Sequence, residues 1–222
     1  MNSIGGNTKA LLFDLDGTLI DTHDIILQSM SHTVNGLYGY DASDRELMNG
    51  VGTPLFNQML HFAGGDSSKA DEMVSAYREH NDSIHDEGVK SFPGTKDALM
   101  RLSNAGFSMG VVTSKRHHMA ERGLKTCGIL SFFEFIIGSD DWPEHKPDPG
   151  PILHGCDLIG FAPEQCMYIG DSPYDIQAGN AAECLTAAAL WGMFPESALS
   201  AYDPDYMFDD IEDMAEFLCQ AF

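Results

Sequence analysis

The chain has 222 residues, of which 34 are Asp or Glu and only 12 Lys or Arg, giving a formal net charge of −22. Nucleic acid and anionic membrane surfaces would be repelled by that charge and are excluded as partners. Hydrophobic residues at 43% and charged residues at 21% are ordinary for a globular protein, long enough for a real core in one large domain or two small ones.

No apolar run approaches the ~20 residues of a membrane-spanning helix. Residues 1–8 are polar and lack the charged start and apolar centre of a signal peptide, so a cytoplasmic location is expected. Cys127, Cys156, Cys166, Cys184 and Cys219 are widely spaced with no Cys-x-x-Cys, which predicts free thiols rather than disulfides or zinc. The nine histidines show no metal-ligand spacing.

Residues 9–13 read as a buried strand. It runs into Phe13-Asp14-Leu15-Asp16-Gly17-Thr18, where Asp14 and Asp16 alternate with Phe13 and Leu15. On an extended backbone the two carboxylates point to the same side. Carboxylates held that close resist ionising unless a cation sits between them. Oxygen-only ligands favour a hard ion such as Mg²⁺.

From residue 23 to 90 the pattern is that of amphipathic helices. Ile25, Ile26, Ser29, Met30 and Thr33 are spaced for one helix face. Gly50-Val51-Gly52-Thr53-Pro54 breaks the run, 56–62 resumes it, and 67–85 predicts one long helix with Met73, Val74 and Tyr77 inward. Strands are then predicted at 108–113, 134–137, 167–169, 185–190 and 205–208, and helices near 95–104, 117–127, 149–160, 173–182 and 210–219. Alternation of strand and helix predicts an α/β fold, a doubly wound parallel sheet covered on both faces. The expected division is an α/β core of residues 1–22 and 91–222, with a helical insertion at 23–90.

Sites in such sheets lie at the carboxyl ends of strands. Asp14 ends the first strand, Thr113-Ser114-Lys115 the next, and Gly170-Asp171 a later one, while Lys146 lies on a proline-studded loop. Carboxylates, hydroxyls and an ammonium should therefore share one edge. Asp171 and Asp175 are four apart, so a helix starting at Pro173 would bring them together. Asp171 could alternatively serve as that helix's N-cap. Lys115, Arg116, Arg122 and Lys125 crowd one segment, either as a local answer to the negative charge or as a solvated helix face.

Taken in order, Asp14-Leu15-Asp16-Gly17-Thr18, Val112-Thr113-Ser114-Lys115, Lys146-Pro147-Asp148-Pro149 and Gly170-Asp171-Ser172-Pro173-Tyr174-Asp175 resemble the four motifs of the haloacid dehalogenase superfamily of phosphatases. Gly50–Pro54, Tyr77-Arg78-Glu79-His80-Asn81, His85-Asp86-Glu87, Phe92-Pro93-Gly94 and Leu190-Trp191-Gly192 point to its phosphoglycolate phosphatase and pyrophosphatase branch. The resemblance implies a Rossmann-like core with a mobile helical cap. It implies that Asp14 is a nucleophile forming an aspartyl-phosphate and that Asp16 is the acid and base. Mg²⁺ would be held by Asp14, by the backbone carbonyl of Asp16 and by Asp171, with Asp175 orienting Lys146 or a metal-bound water. Gly17, Thr113 and Lys146 would contact the phosphoryl group, and Ser114 and Lys115 are further phosphate-binding candidates. Gly50–Pro54 is the candidate specificity loop; His80 and His85 could reach a substrate or sit within the cap. The expected activity is hydrolysis of a small phosphorylated metabolite by a monomer or homodimer. Inorganic pyrophosphatase and a phosphomutase are the alternatives; only Arg45, Lys69, Arg78 and Lys90 lie in the inserted segment to hold a sugar phosphate. A non-catalytic module on the same scaffold is disfavoured because Asp14, Asp16, Thr113, Lys146, Asp171 and Asp175 are all present.

Overall fold

The apolar run Ala10–Phe13 forms β1, buried on both faces as a central parallel strand must be. The computed structural model describes residues 7–221, so residues 1–6 of the polar N-terminal stretch lie outside the described part. In chain order, β1 is followed by β2 (Ile20–Asp21), α1 (His23–Ser31), α2 (Asp44–Met48), α3 (Leu55–Phe62), α4 (Ser67–Gly88) and β3 (Lys90–Ser91). Next come α5 (Thr95–Asn104), β4 (Ser108–Val112), α6 (His117–Thr126), β5 (Ile136–Ile137) and α7 (Gly150–Ile159). The chain closes with β6 (Cys166–Gly170), α8 (Pro173–Ala181), β7 (Leu185–Ala189), α9 (Glu196–Leu199), β8 (Tyr206–Phe208) and α10 (Ile211–Ala221).

The main sheet has the order β5-β4-β1-β6-β7-β8 with every neighbour parallel. The fold is α/β and doubly wound. Strands are added on one side of β1 up to β5, and β6 then starts on the other side. That reversal places a crevice at the carboxyl end of β1, where such sheets bind ligands. Alternation along β1 sends Leu11 and Phe13 to one face, against Leu99, Leu102, Leu124 and Met214 of α5, α6 and α10. Ala10 and Leu12 face the other way, against Ile152, Cys156 and Ala178 of α7 and α8.

Helices α1 to α4 pack around their own apolar cluster, which includes Met30, Leu47, Met59 and Met73. Local signals start two of them. Ser43 and Glu46 make a capping box at α2, and Asp66 accepts from the Lys69 N–H at 3.1 Å to start α4. Helix α1 continues as a turn of π-helix over His32–Leu37. On either side of these helices the chain forms an antiparallel pair, Ile20 opposite Ser91 and Asp21 opposite Lys90. These two-residue strands, and α2, were not predicted; neither is long enough to show a periodicity. All five cysteines are free thiols, as their spacing predicted.

Candidate active site

The carboxyl ends of β1, β4 and β6 lie side by side and deliver Asp14, Thr113 and Asp171 to one edge. After Asp14 the chain turns sharply, with the Leu19 N–H donating to the Leu15 carbonyl at 2.9 Å. Gly17 holds φ +83°, and any methyl group there would collide with the Asp171 carboxylate. Glycine is needed on both counts.

Lys146 is only 3% exposed and sits at the centre of the cluster. Its Nζ lies 2.9 Å from Asp14 Oδ1 and 2.5 Å from Asp175 Oδ1, and donates to the Tyr168 hydroxyl at 3.1 Å. Burial opposes the ammonium charge, but the Asp14 and Asp175 carboxylates hold its pKa well above the usual lysine range. Tyr168 donates in turn to the Val112 carbonyl at 2.8 Å, tying the lysine to β4. Asp175 divides its two oxygens. Oδ1 takes Lys146, while Oδ2 accepts from the Ser172 N–H at 2.9 Å and the Ser172 hydroxyl at 2.6 Å. Ser172 therefore caps α8, with Pro173 at the first helical position. Asp171 is not the N-cap, and it stands just before the helix rather than on it.

Asp171 is held by the Thr18 hydroxyl on Oδ1 at 3.2 Å and by the Met193 N–H on Oδ2 at 2.7 Å. Trp191 fixes the opposite wall by donating from Nε1 to the Thr18 carbonyl at 2.9 Å. Gly192 leaves no room for a side chain against Asp171.

Asp14, Asp171 and Asp175 each offer a carboxylate oxygen, all within 4.8 Å of one another, and all three are buried. Burial pushes Asp14 up to about 6 against the pull of Lys146. Burial likewise raises Asp171 well above the carboxylate range, reinforced by the charges of Asp175 and Asp14. Three carboxylates around one ammonium are short of positive charge, and the donors are all oxygen. The residues fit a hard divalent cation.

Asp16 stands nearer the opening, and Lys115 Nζ reaches both of its oxygens, at 2.8 and 3.0 Å. Lys115 is thus turned to Asp16 in this structure, and Asp16 is not free. Thr113 is buried beside them, its Oγ1 accepting from the Lys115 N–H at 3.2 Å. Ser114 donates to the Gly52 carbonyl at 2.7 Å, which brings the Gly50–Pro54 loop onto the core. Gly52 holds φ +98° and packs so close to Ser172 and Tyr174 that a Cβ would crowd both. A cavity of about 330 Å³ lies beneath that loop, bounded by Asp14, Asp16, Thr113, Lys115, Tyr77 and Phe56 among others. His80 and His85 are not brought to it. His80 stacks on His32 at 4.2 Å and contacts the Ser29 hydroxyl, while His85 is buried against Asp86. Tyr168 is the residue that sequence reasoning missed, because an aromatic inside a strand reads as core. The one available signal is that a buried hydroxyl needs a partner.

Comparison with known proteins places this geometry. A sequence profile of haloacid dehalogenase-like hydrolases matches residues 11–189. The chain is 37% identical to pyrophosphatase PpaX of Oceanobacillus iheyensis over 96% of its own length and 98% of the relative's. It is 37% identical to pyrophosphatase PpaX of Bacillus velezensis over 92% and 94%. A haloacid dehalogenase-like family hydrolase of Streptococcus pneumoniae superposes with a TM-score of 0.84 at 27% identity, covering 98% of this chain and 99% of that one. A predicted phosphoglycolate phosphatase of Haemophilus somnus superposes with a TM-score of 0.82 at 25% identity, covering 95% and 97%. The motifs met in order along the sequence, the sheet that gathers them and the match across most of the chain agree, and this protein belongs to the haloacid dehalogenase-like hydrolases.

Proposed function

We propose that this hydrolase is a Mg²⁺-dependent phosphatase that acts on a small phosphorylated substrate through an aspartyl-phosphate on Asp14. The observation that carries the reading is the meeting of Asp14, Lys146, Asp171 and Asp175 in one buried cluster, of which Asp14 and Asp171 line a cavity together with Asp16 and Thr113. Asp14, Asp171 and the backbone carbonyl of Asp16 would hold the ion, while Asp175 stays on Lys146. Bound there, the ion would screen a carboxylate nucleophile from an anionic phosphoryl group. Asp14 attacks phosphorus and the leaving oxygen departs on the opposite side. Lys146 and the Thr113 hydroxyl face the transferring oxygens. Asp16 gives a proton to the leaving oxygen and then takes one from the hydrolytic water. Lys115 occupies both Asp16 oxygens, so it must turn to another anion first. An incoming substrate supplies that anion. Helices α1 to α4, residues 23–90 in all, act as the cap, and the Gly50–Pro54 loop covers the substrate.

Inorganic pyrophosphate is the leading substrate, because relatives aligned over almost the whole chain carry that activity in their names. Phosphoglycolate follows, from the name of a structural neighbour. The test is a panel of pyrophosphate, phosphoglycolate, other phosphomonoesters and p-nitrophenyl phosphate. Hydrolysis should disappear with a chelator and return with Mg²⁺. Activity undiminished by chelation, or no hydrolysis of any member with Mg²⁺ present, would overturn the reading. Asp16→Ala should lose about 10²–10⁴-fold in kcat on poor alkoxide leaving groups and much less on p-nitrophenyl phosphate. Equal losses on both would count against the proton role.

A further inference from the structure

Twelve cations stand against 34 acids in this chain, and a basic side chain without an acid partner is informative where it lines the cavity. Of the three Lys or Arg residues lining the cavity only Lys115 has an acid partner among the described residues, and Lys146, Arg122 and Lys125, outside the lining, are paired as well. Lys115 holds Asp16, Lys146 holds Asp14 and Asp175, Arg122 holds Asp86 and Asp82, and Lys125 holds Glu121. Arg78 of α4 and Arg116, the residue capping α6, both line the cavity that contains Asp14 and Asp16. Neither is in any ion pair among the described residues. Asp140 and Asp82 line the same cavity and, with Asp71, act on Arg78 through their charge, but none is in an ion pair with it among the described residues. The Asp140 carboxylate accepts from the His117 N–H at 2.7 Å, Asp82 faces Arg122 at 3.6 Å, and Asp71 is exposed. Arg78 and Arg116 also feel each other. Partial burial lowers the Arg78 pKa, and the Arg116 charge lowers it further.

A solvated arginine on a convex surface needs no partner. Two that share one concavity, in a protein of net charge −22, leave a place for an anion. A guanidinium presents a planar fork that matches phosphate or carboxylate in two bonds. We propose that Arg78 and Arg116 form a second anion subsite, and that the preferred substrate carries two anionic groups. One is the phosphoryl group set against Asp14, and the other is a phosphate or carboxylate held between the two guanidinium groups. The proposal rests on the reading of Asp14 as nucleophile and deepens it. Because Arg78 belongs to the helical insertion and Arg116 to the core, the distal anion ties the two together over the reacting group. A phosphoester without a second anion lacks that tie.

The experiment compares kcat/KM for pyrophosphate and for phosphoglycolate, each relative to p-nitrophenyl phosphate, in wild type, Arg78→Gln and Arg116→Gln. Each substitution should reduce the ratio about 10–100-fold for the substrate whose second group is bound, as expected for a lost charged hydrogen-bonding partner. A fall for pyrophosphate alone assigns a phosphate to the subsite; a fall for phosphoglycolate alone assigns a carboxylate. Ratios within threefold of wild type for both substrates overturn the proposal. A second measurement does not need turnover. In the Asp14→Asn protein with Mg²⁺, methylenediphosphonate binding followed by calorimetry should weaken at least tenfold with either arginine substitution. Unchanged affinity overturns the subsite. Arginine-dependent binding by a protein that hydrolyses nothing upholds the subsite and overturns the phosphatase reading.

Discussion

Asp14→Asn is expected to reduce turnover of every phosphorylated substrate by about 10⁴-fold or more, as removal of a covalent nucleophile does, while making the metal-free protein more heat-stable. The two outcomes have one cause. Asp14 is 5% exposed, and burial pushes its pKa up to about 6 although Lys146 lies 2.9 Å away. A carboxyl whose folded pKa exceeds its unfolded value contributes stability below the unfolded pKa and loses it as pH rises through the folded one. In a chelator the wild type should therefore lose stability between about pH 4 and pH 6 and carry the full penalty at pH 7, on the order of 3 kcal/mol. Asparagine has the same shape and no charge, and Lys146 keeps Asp175 as its counterion. The variant's Tm should exceed that of the metal-free wild type by about 6–12 °C at pH 7.5, and the gap should close at pH 4.5. Mg²⁺ should narrow it by stabilising the wild type more. Thermal scans at the two pH values, with chelator and with Mg²⁺, measure this. A lower Tm at pH 7.5, or more than 1% of wild-type activity on p-nitrophenyl phosphate, would rule out the role assigned to Asp14.

What was legible in the sequence depended on distance along the chain. Asp14 and Asp16 stand out because a two-residue period aligns them, and the rule about strand ends then collects Thr113 and Asp171 without knowledge of the strand order. The six main strands were readable as apolar runs between helices, and all six pair in one parallel sheet. Partnerships between distant residues were not readable. Lys115 was a further phosphate candidate, and its contact with Asp16, 99 residues away, could not be foreseen. Tyr168 looked like core and touches Lys146 across 22 residues. Arg78 was counted only as one of the insertion's few cations, and its proximity to Arg116 exists only once α4 is laid against the core. The β2–β3 pair comprises two-residue strands that no periodicity could reveal. The substrate depends on this same layer of long-range contacts, which is why the edge of the sheet was easier to read than the cavity above it.

Lys146→Met should be the most damaging single change to the fold of the metal-free protein. The lysine is the ammonium shared by Asp14 and Asp175, and its charge also acts on Asp171. Methionine fills most of the volume but leaves three buried carboxylates with no cation among them. Removing one partner of a buried ion pair costs about 3–5 kcal/mol, or a fall in Tm of about 10 °C or more for a chain of this length. The cost should depend on the acids rather than on lost packing. Asp175→Asn in the Lys146→Met background should therefore recover part of the stability instead of subtracting more, a coupling that a double-mutant cycle measures directly. Mg²⁺ should raise the Tm of Lys146→Met by more than it raises that of wild type, since the ion is then the sole positive charge in the cluster. Activity should remain low even with the metal, because nothing replaces the ammonium facing the transferring oxygens. Where Lys146→Met is too unstable to purify, Asp175→Asn alone serves. It leaves Lys146 to Asp14 and should lose activity with a much smaller loss of Tm. A metal-free Lys146→Met within 2 °C of wild type would show that the carboxylates are neutral without the lysine, and would remove the charge shortage from which the metal site is inferred.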